Sequence, residues 1–189
     1  MSLHLHRVVV PVHGGHQPAT LLLPPDAARP AVVVLGPHLD GVVVARSLVG
    51  AGLAVLDVSH GRDAGRGWWE ALAAFVRRQA DLDGARLVLA AGGRSVHAVR
   101  DLVPVVDPVG LVLAPSWVPR PLGATIRRLH TLAALDLGGV GPDELTCPIV
   151  VPRHRPIPRW LQGTDLHRCL PEDIATTLAA LVDPPSAAA

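Results

Sequence analysis

The run Leu87-Val88-Leu89-Ala90-Ala91-Gly92-Gly93-Arg94-Ser95-Val96-His97-Ala98 sets the architecture of this chain. Its first residues are apolar without alternation, the pattern of a strand buried on both faces in a parallel sheet covered by helices. The two glycines allow a sharp turn at the strand's end. Ser95 then opens an apolar helical pattern, where a hydroxyl can accept a bond from the free N–H groups of the first turn. A strand, a glycine pair and a helix in this order aim the helix start beyond the carboxyl end of the strand. Ligands of open parallel sheets sit there.

Outward from this run the same rhythm continues. Upstream, residues 31–35 and 53–58 are apolar strands. A helix over 40–51 lies between them, capped by Asp40 and stopped at Gly52. Residues 68–80 carry the i, i+3, i+4 spacing of an amphipathic helix. Downstream, a helix from Ser95 to Val103 stops at Pro104, and 109–114 is a strand. Residues 121–135 read as a helix, 138–141 as a turn and 147–151 as a seventh strand. Residues 159–162 suit a short edge strand, and 171–181 a closing helix. At the other end, 3–12 and 19–23 flank Gly14-Gly15-His16-Gln17-Pro18 and form an antiparallel hairpin. The expected fold is therefore α/β, a three-layer sandwich whose mostly parallel sheet of about seven or eight strands begins with an N-terminal antiparallel hairpin. Residues 1–183 form a single domain, and 184–189 a disordered tail.

Composition narrows the chemistry. The 189 residues are 49% hydrophobic and 17% charged, with a formal charge of +1, and a chain of this length buries enough surface to need no disulfide or metal staple. Lys, Tyr and Asn are absent, which excludes a Schiff-base lysine, a Walker A lysine and a Tyr–Lys pair, and with them pyridoxal enzymes and P-loop NTPases. Cys147 and Cys169 stand 22 residues apart, matching neither a redox CxxC nor a zinc knuckle, so a reduced, cytoplasmic setting is expected. His4, His6 and Arg7 interrupt the start and leave no secretory pattern. No apolar run approaches the roughly 20 residues of a membrane span, and the arginines are scattered rather than clustered as nucleic-acid binding requires. Neither membrane nor nucleic acid is an expected partner, and a homodimer is left open.

Gly93-Arg94-Ser95-Val96-His97 resembles the Gly-x-Ser-x-Gly nucleophile elbow of the α/β-hydrolases, with His97 in place of the second glycine. Over about residues 5–182 the chain resembles a small α/β-hydrolase of the dienelactone-hydrolase type, and Gly92-Gly93-Arg94-Ser95 is similar to the elbow opening of short hydrolases in that superfamily. The resemblance implies a serine hydrolase of small carboxylic esters or thioesters, taking an acyl substrate and no cofactor. Ser95 would attack. His167, in a loop between the last strand and the final helix, would be its base. Gly93 would shape the elbow, and the Val96 and His38 N–H groups would hold the oxyanion, since Pro37 has no N–H to give. His97 either crowds the elbow or points into the pocket.

The orienting acid is where the chain departs from that pattern. After the seventh strand come Pro152-Arg153-His154-Arg155-Pro156, after the sixth Pro115-Ser116-Trp117, and Asp143 precedes the seventh strand. Asp165, two residues before His167, is the candidate to reach its Nδ1–H. The triad is thus degenerate, and the alternative is a catalytically inactive binding or scaffold protein. A third reading is non-hydrolytic chemistry through His97 or His154. Four of the ten histidines, His4, His6, His13 and His16, fall in the hairpin; two imidazoles on one strand face hold zinc only with further ligands, so no metal is expected. His60 and Asp63 lie near the expected pocket mouth, and Trp68 and Trp69 are candidates for its wall or for the core.

Overall fold

In the computed structural model, residues 4–25, 27–37, 39, 41–60, 65–93, 95–114, 145–153, 161 and 164–183 are described, with backbone alone for 41–43. Strands β1 (His4–Val12) and β2 (Gly15–Leu23) pair antiparallel. β3 (Ala31–Leu35), α1 (Gly41–Gly50), β4 (Ala54–Asp57), α2 (Arg66–Arg77) and β5 (Asp83–Gly92) follow. Next come α3 (Ser95–Arg100), α4 (Val103–Val106), β6 (Gly110–Ala114), β7 (Ile149–Pro152), β8 (Leu166–Cys169), a 3-10 turn (Pro171–Asp173) and α5 (Ile174–Val182).

The eight strands form one sheet in the order β1-β2-β4-β3-β5-β6-β7-β8. β2 pairs antiparallel with β1 and β4, and every pairing from β4 to β8 is parallel. Strand alternation divides the apolar residues between two cores. Val32, Val34, Leu87, Leu89 and Ala91 meet α2 and α3 on one face. Val33, Leu35, Val88, Ala90 and Val150 meet α1 and α5 on the other. β5 lies between β3 and β6, so the Gly92-Gly93 turn opens near the middle of the sheet. At its opposite end, Arg86 bonds the carboxylates of Asp83 and Asp183 and so ties β5 to the end of α5.

Several elements differ from the sequence expectation, each for a local reason. The hairpin turns at His13-Gly14, and Gly14 and Gly15 both have positive φ (85° and 155°), so β2 begins at residue 15 rather than 19. Pro18 is tolerated inside β2 because β4 pairs only with Thr20, Leu21 and Leu22 and needs no N–H from residue 18. Pro104 does not end a helix but stands in the first turn of α4, where its missing N–H is no loss. The last described strand is Leu166–Cys169, which the sequence reading did not anticipate; of the edge strand expected over 159–162 only Leu161 is described, and it is buried. The helix expected over 121–135, the turn over 138–141 and the tail at 184–189 lie outside the described residues.

Candidate active site

β5 delivers Ser95 to the carboxyl end of the sheet. Gly93 has φ 59°, a left-handed conformation that L side chains rarely adopt, and its N–H bonds the Ala114 carbonyl at 3.2 Å, anchoring the turn to β6. Ser95 follows as the first residue of α3. It is wholly inaccessible to solvent, and its Oγ has no hydrogen-bond partner among the described residues. A buried hydroxyl left unpaired costs about 1–3 kcal/mol, and such exceptions in a folded protein call for a functional or structural cause. The first-turn N–H groups of α3, Val96 among them, have no intrahelical acceptor.

The turn after β3 lies beside this elbow. Leu35 is in register with Ala90, and the Gly36 N–H bonds the Ala90 carbonyl at 2.9 Å. Glycine is required at 36: a Cβ there would stand 2.3 Å from Cη2 and 2.5 Å from Cζ2 of Trp69. Trp69, on α2, is fully buried, its indole Nε1 has no hydrogen-bond partner among the described residues, and it meets Trp68 edge-to-face at 5.2 Å. Trp68 is buried too and faces Gln17 Oε1 at 3.4 Å. Both tryptophans are thus core residues, and Trp69 reaches the end of β3. His38, Asp40, Asp63, Ser116, Trp117, Asp143 and His154 lie outside the described residues.

His167 and Asp165 are close to each other but not to Ser95. His167 is not in a loop beyond the last strand; it is inside β8, paired with Val150, which pairs with Val112 and through it with Ala90. That places it three strands from β5, about 14 Å across the sheet, and level with a residue two before Gly92. Asp165 precedes β8, and its carbonyl accepts the Ile149 N–H at 2.8 Å, at the amino edge of the sheet opposite the elbow. Nε2 of His167, and not Nδ1 as the sequence reading has it, is the nitrogen 3.2 Å from Asp165 Oδ1. No hydrogen bond accompanies the contact, and Nε2 has no hydrogen-bond partner among the described residues. Ser95, His167 and Asp165 therefore do not form a connected relay in this structure. The loop that does follow the last strand, Leu170 leading into Pro171, holds no histidine.

His97 projects from α3 one residue beyond Val96 and is half-buried. Burial, and secondarily the Arg100 charge, hold its pKa below the ordinary histidine value, with Asp101 opposing. Arg100 is itself buried, with Nε and Nη2 at 3.0 and 2.9 Å from Asp101 Oδ1. Because the folded form resists protonation, the unfolded chain binds the proton first. This contribution leaves stability unchanged above the unfolded pKa of about 6.5 and lowers it as the pH falls from there to the folded pKa. His97→Gln is expected to flatten the fall in Tm between about pH 7 and 5 relative to the parent chain. Equal slopes in a thermal melt series would show that His97 does not titrate against folding.

His4 and His6 share a face of β1 and are exposed, and no group of three His, Cys, Asp or Glu among the described residues could hold a metal ion. Cys147 is buried and its thiol pushed up to about 11 by desolvation, which removes it as a nucleophile. No described helix is long and apolar enough to cross a membrane.

No protein-family model and no curated protein matches the sequence. Solved structures do match. A cold-adapted esterase from an Arctic intertidal metagenomic library superposes with a TM-score of 0.58 at 16% identity, over 96% of this chain and 94% of that one. The esterase domain of a Rhodothermus marinus protein gives 0.59 at 14% identity, over 95% of each. A Pyrobaculum calidifontis esterase gives 0.61 at 16% identity, over 95% of this chain and 85% of that one. The chain has the α/β-hydrolase fold. On this fold, Ser95 stands at the turn from β5 into α3. The sequence reading missed the Gly36–Trp69 contact, signalled only by a glycine at a strand end and a tryptophan on an apolar helix face. It also missed that β8 contains His167, because Leu166-His167-Arg168-Cys169 lacks an apolar run.

Proposed function

We propose that this chain is a serine hydrolase of small carboxylic esters or thioesters, nearest in kind to the dienelactone-hydrolase type, with a weakened catalytic apparatus. The observation that carries the reading is Ser95: a fully buried hydroxyl with no hydrogen-bond partner among the described residues, at the turn after the central strand, on a fold shared with esterases. Ser95 attacks the acyl carbon, and the Val96 and His38 N–H groups receive the charge on the carbonyl oxygen. The weakness follows from the base. With His167 on β8 and Asp165 at the amino edge, no described imidazole is bonded to Ser95, and loss of the acid alone lowers turnover about ten-thousandfold in a complete triad.

A panel of short-chain p-nitrophenyl esters and acyl thioesters tests this. Slow hydrolysis that requires Ser95 is expected, with His97→Gly leaving it unchanged or raising it. Loss of activity in His97→Gly would instead make His97 the base. The second reading, a catalytically inactive binding or scaffold protein, is favoured by the separation of His167 from Ser95, and it expects no turnover of any ester.

A further inference from the structure

Three of the four buried side-chain polar atoms without a hydrogen-bond partner among the described residues stand at one end of the sheet: Ser59 Oγ, Trp69 Nε1 and Ser95 Oγ. Folded proteins leave few such atoms, and each calls for a cause. These three belong to the carboxyl ends of β4, β3 and β5, which are neighbours in the sheet. Ser59 lies just past β4, where the Val58 N–H bonds the Leu35 carbonyl at 2.9 Å. Leu35 ends β3 and leads into Gly36, against which the edge of the Trp69 ring rests. Cζ2 of that ring is 2.5 Å from the place a Gly36 Cβ would take, and it shares the bonded neighbour Cε2 with Nε1. The indole N–H is thus held at the turn after β3 and not over the middle of the sheet. Trp68 supplies the contrast, because its Nε1 donates to Gln17 Oε1, as the N–H of a buried tryptophan usually does to some acceptor.

We infer that the Trp69 N–H is a donor to substrate, and that the acyl group taken at Ser95 carries an oxygen acceptor, a hydroxyl or an oxo group, on its third carbon. The inference rests on the esterase reading of Ser95 and adds the substrate class to it. β3 is the neighbour of β5, so the turn that holds the indole is one strand spacing, ~4.8 Å, from the strand that leads to Ser95. An oxygen on the third carbon, with a hydrogen bond of ~2.9 Å, bridges that gap. An indole N–H only donates, so its partner must be an acceptor, and the Ser59 hydroxyl, one strand further on, can donate or accept. Both groups are neutral, which suits an uncharged oxygen. A plain alkyl chain would leave the buried N–H unpaired, and a site built to bond a substrate oxygen discriminates against an analogue that lacks it.

The experiment reads binding in Ser95→Ala, which holds an ester without attacking it, by proton–nitrogen NMR of the tryptophan indoles. The probes are ethyl 3-hydroxybutyrate, ethyl acetoacetate and ethyl butyrate. At least one of the two oxygenated esters is expected to bind about tenfold more tightly than ethyl butyrate, the effect of satisfying one buried donor. Its binding is expected to move the Trp69 indole proton downfield while the Trp68 signal stays in place. Tighter binding of the hydroxy ester assigns a hydroxyacyl group, and of the oxo ester an oxoacyl group. Trp69→Phe, added to Ser95→Ala, is expected to erase the preference. Ser59→Ala, which removes one oxygen from a half-buried residue, is expected to reduce it and serves where the phenylalanine variant does not fold. Equal affinities for the three esters, no binding of either oxygenated ester, or a Trp69 signal unmoved by the bound ester overturns the inference. Binding is read without the nucleophile, so failure here is separable from failure of Ser95 to react.

Discussion

Trp69→Ala is expected to lower the stability of this chain by about 3–5 kcal/mol, the range for truncating a buried tryptophan. The side chain is fully buried in the core beneath α2 and supports the turn at Gly36. The reciprocal change, Gly36→Ala, places a methyl carbon 2.3 Å from the indole and is expected to cost about 1–3 kcal/mol by overpacking. The two sites share one volume, so their effects will not add: in Gly36→Ala/Trp69→Ala the methyl enters space the indole has left, and the double variant is expected to be more stable than the sum of single effects allows. Urea denaturation of the four proteins measures this. Additive losses, or a neutral Gly36→Ala, would contradict the contact. The consequence for function is positional, because this contact packs the β3 turn against α2, while the Gly36 N–H bond to the Ala90 carbonyl ties the same turn to the strand that ends in the elbow.

Ser95→Ala is expected to take ester turnover to the uncatalysed background and to leave stability unchanged or improved. The direction of the second effect is the informative part. The hydroxyl is buried with no hydrogen-bond partner among the described residues, so removing it relieves a desolvation cost and loses none of the bonds seen there. A gain of about 1 kcal/mol corresponds to about 2–4 °C in Tm for a domain of this size. Ester assays and differential scanning calorimetry on the same preparations check both halves. Full turnover in the variant would remove Ser95 from the chemistry, and a fall in Tm of several degrees would mean that Oγ makes a bond in solution.

Much of the sheet was legible because buried parallel strands announce themselves: residues 31–35 and 109–114 are apolar runs bounded by glycine or proline, and the strands found there are Ala31–Leu35 and Gly110–Ala114. The Gly92-Gly93-Arg94-Ser95 turn was legible for the same reason, since glycine marks the φ that the elbow needs. The last strand was not. Its side chains are half-buried or exposed, so no hydrophobic period marks Leu166–Cys169, and partnership with β7 alone makes it a strand. Reading Leu166–Cys169 as loop placed His167 outside the sheet, and the expected relay depended on that loop. Gly36 and Trp69 are 33 positions apart, and their contact is a product of β3–β5 register and α2 packing that no local pattern encodes.

The central claim, an activated serine at an α/β-hydrolase elbow, is tested most directly by reacting the folded protein with a fluorophosphonate probe beside Ser95→Ala and mapping any adduct by mass spectrometry. A single adduct on Ser95 that is absent from the variant is the expected result. Absence of an adduct on the folded parent chain, or equal labelling of the variant, would contradict it.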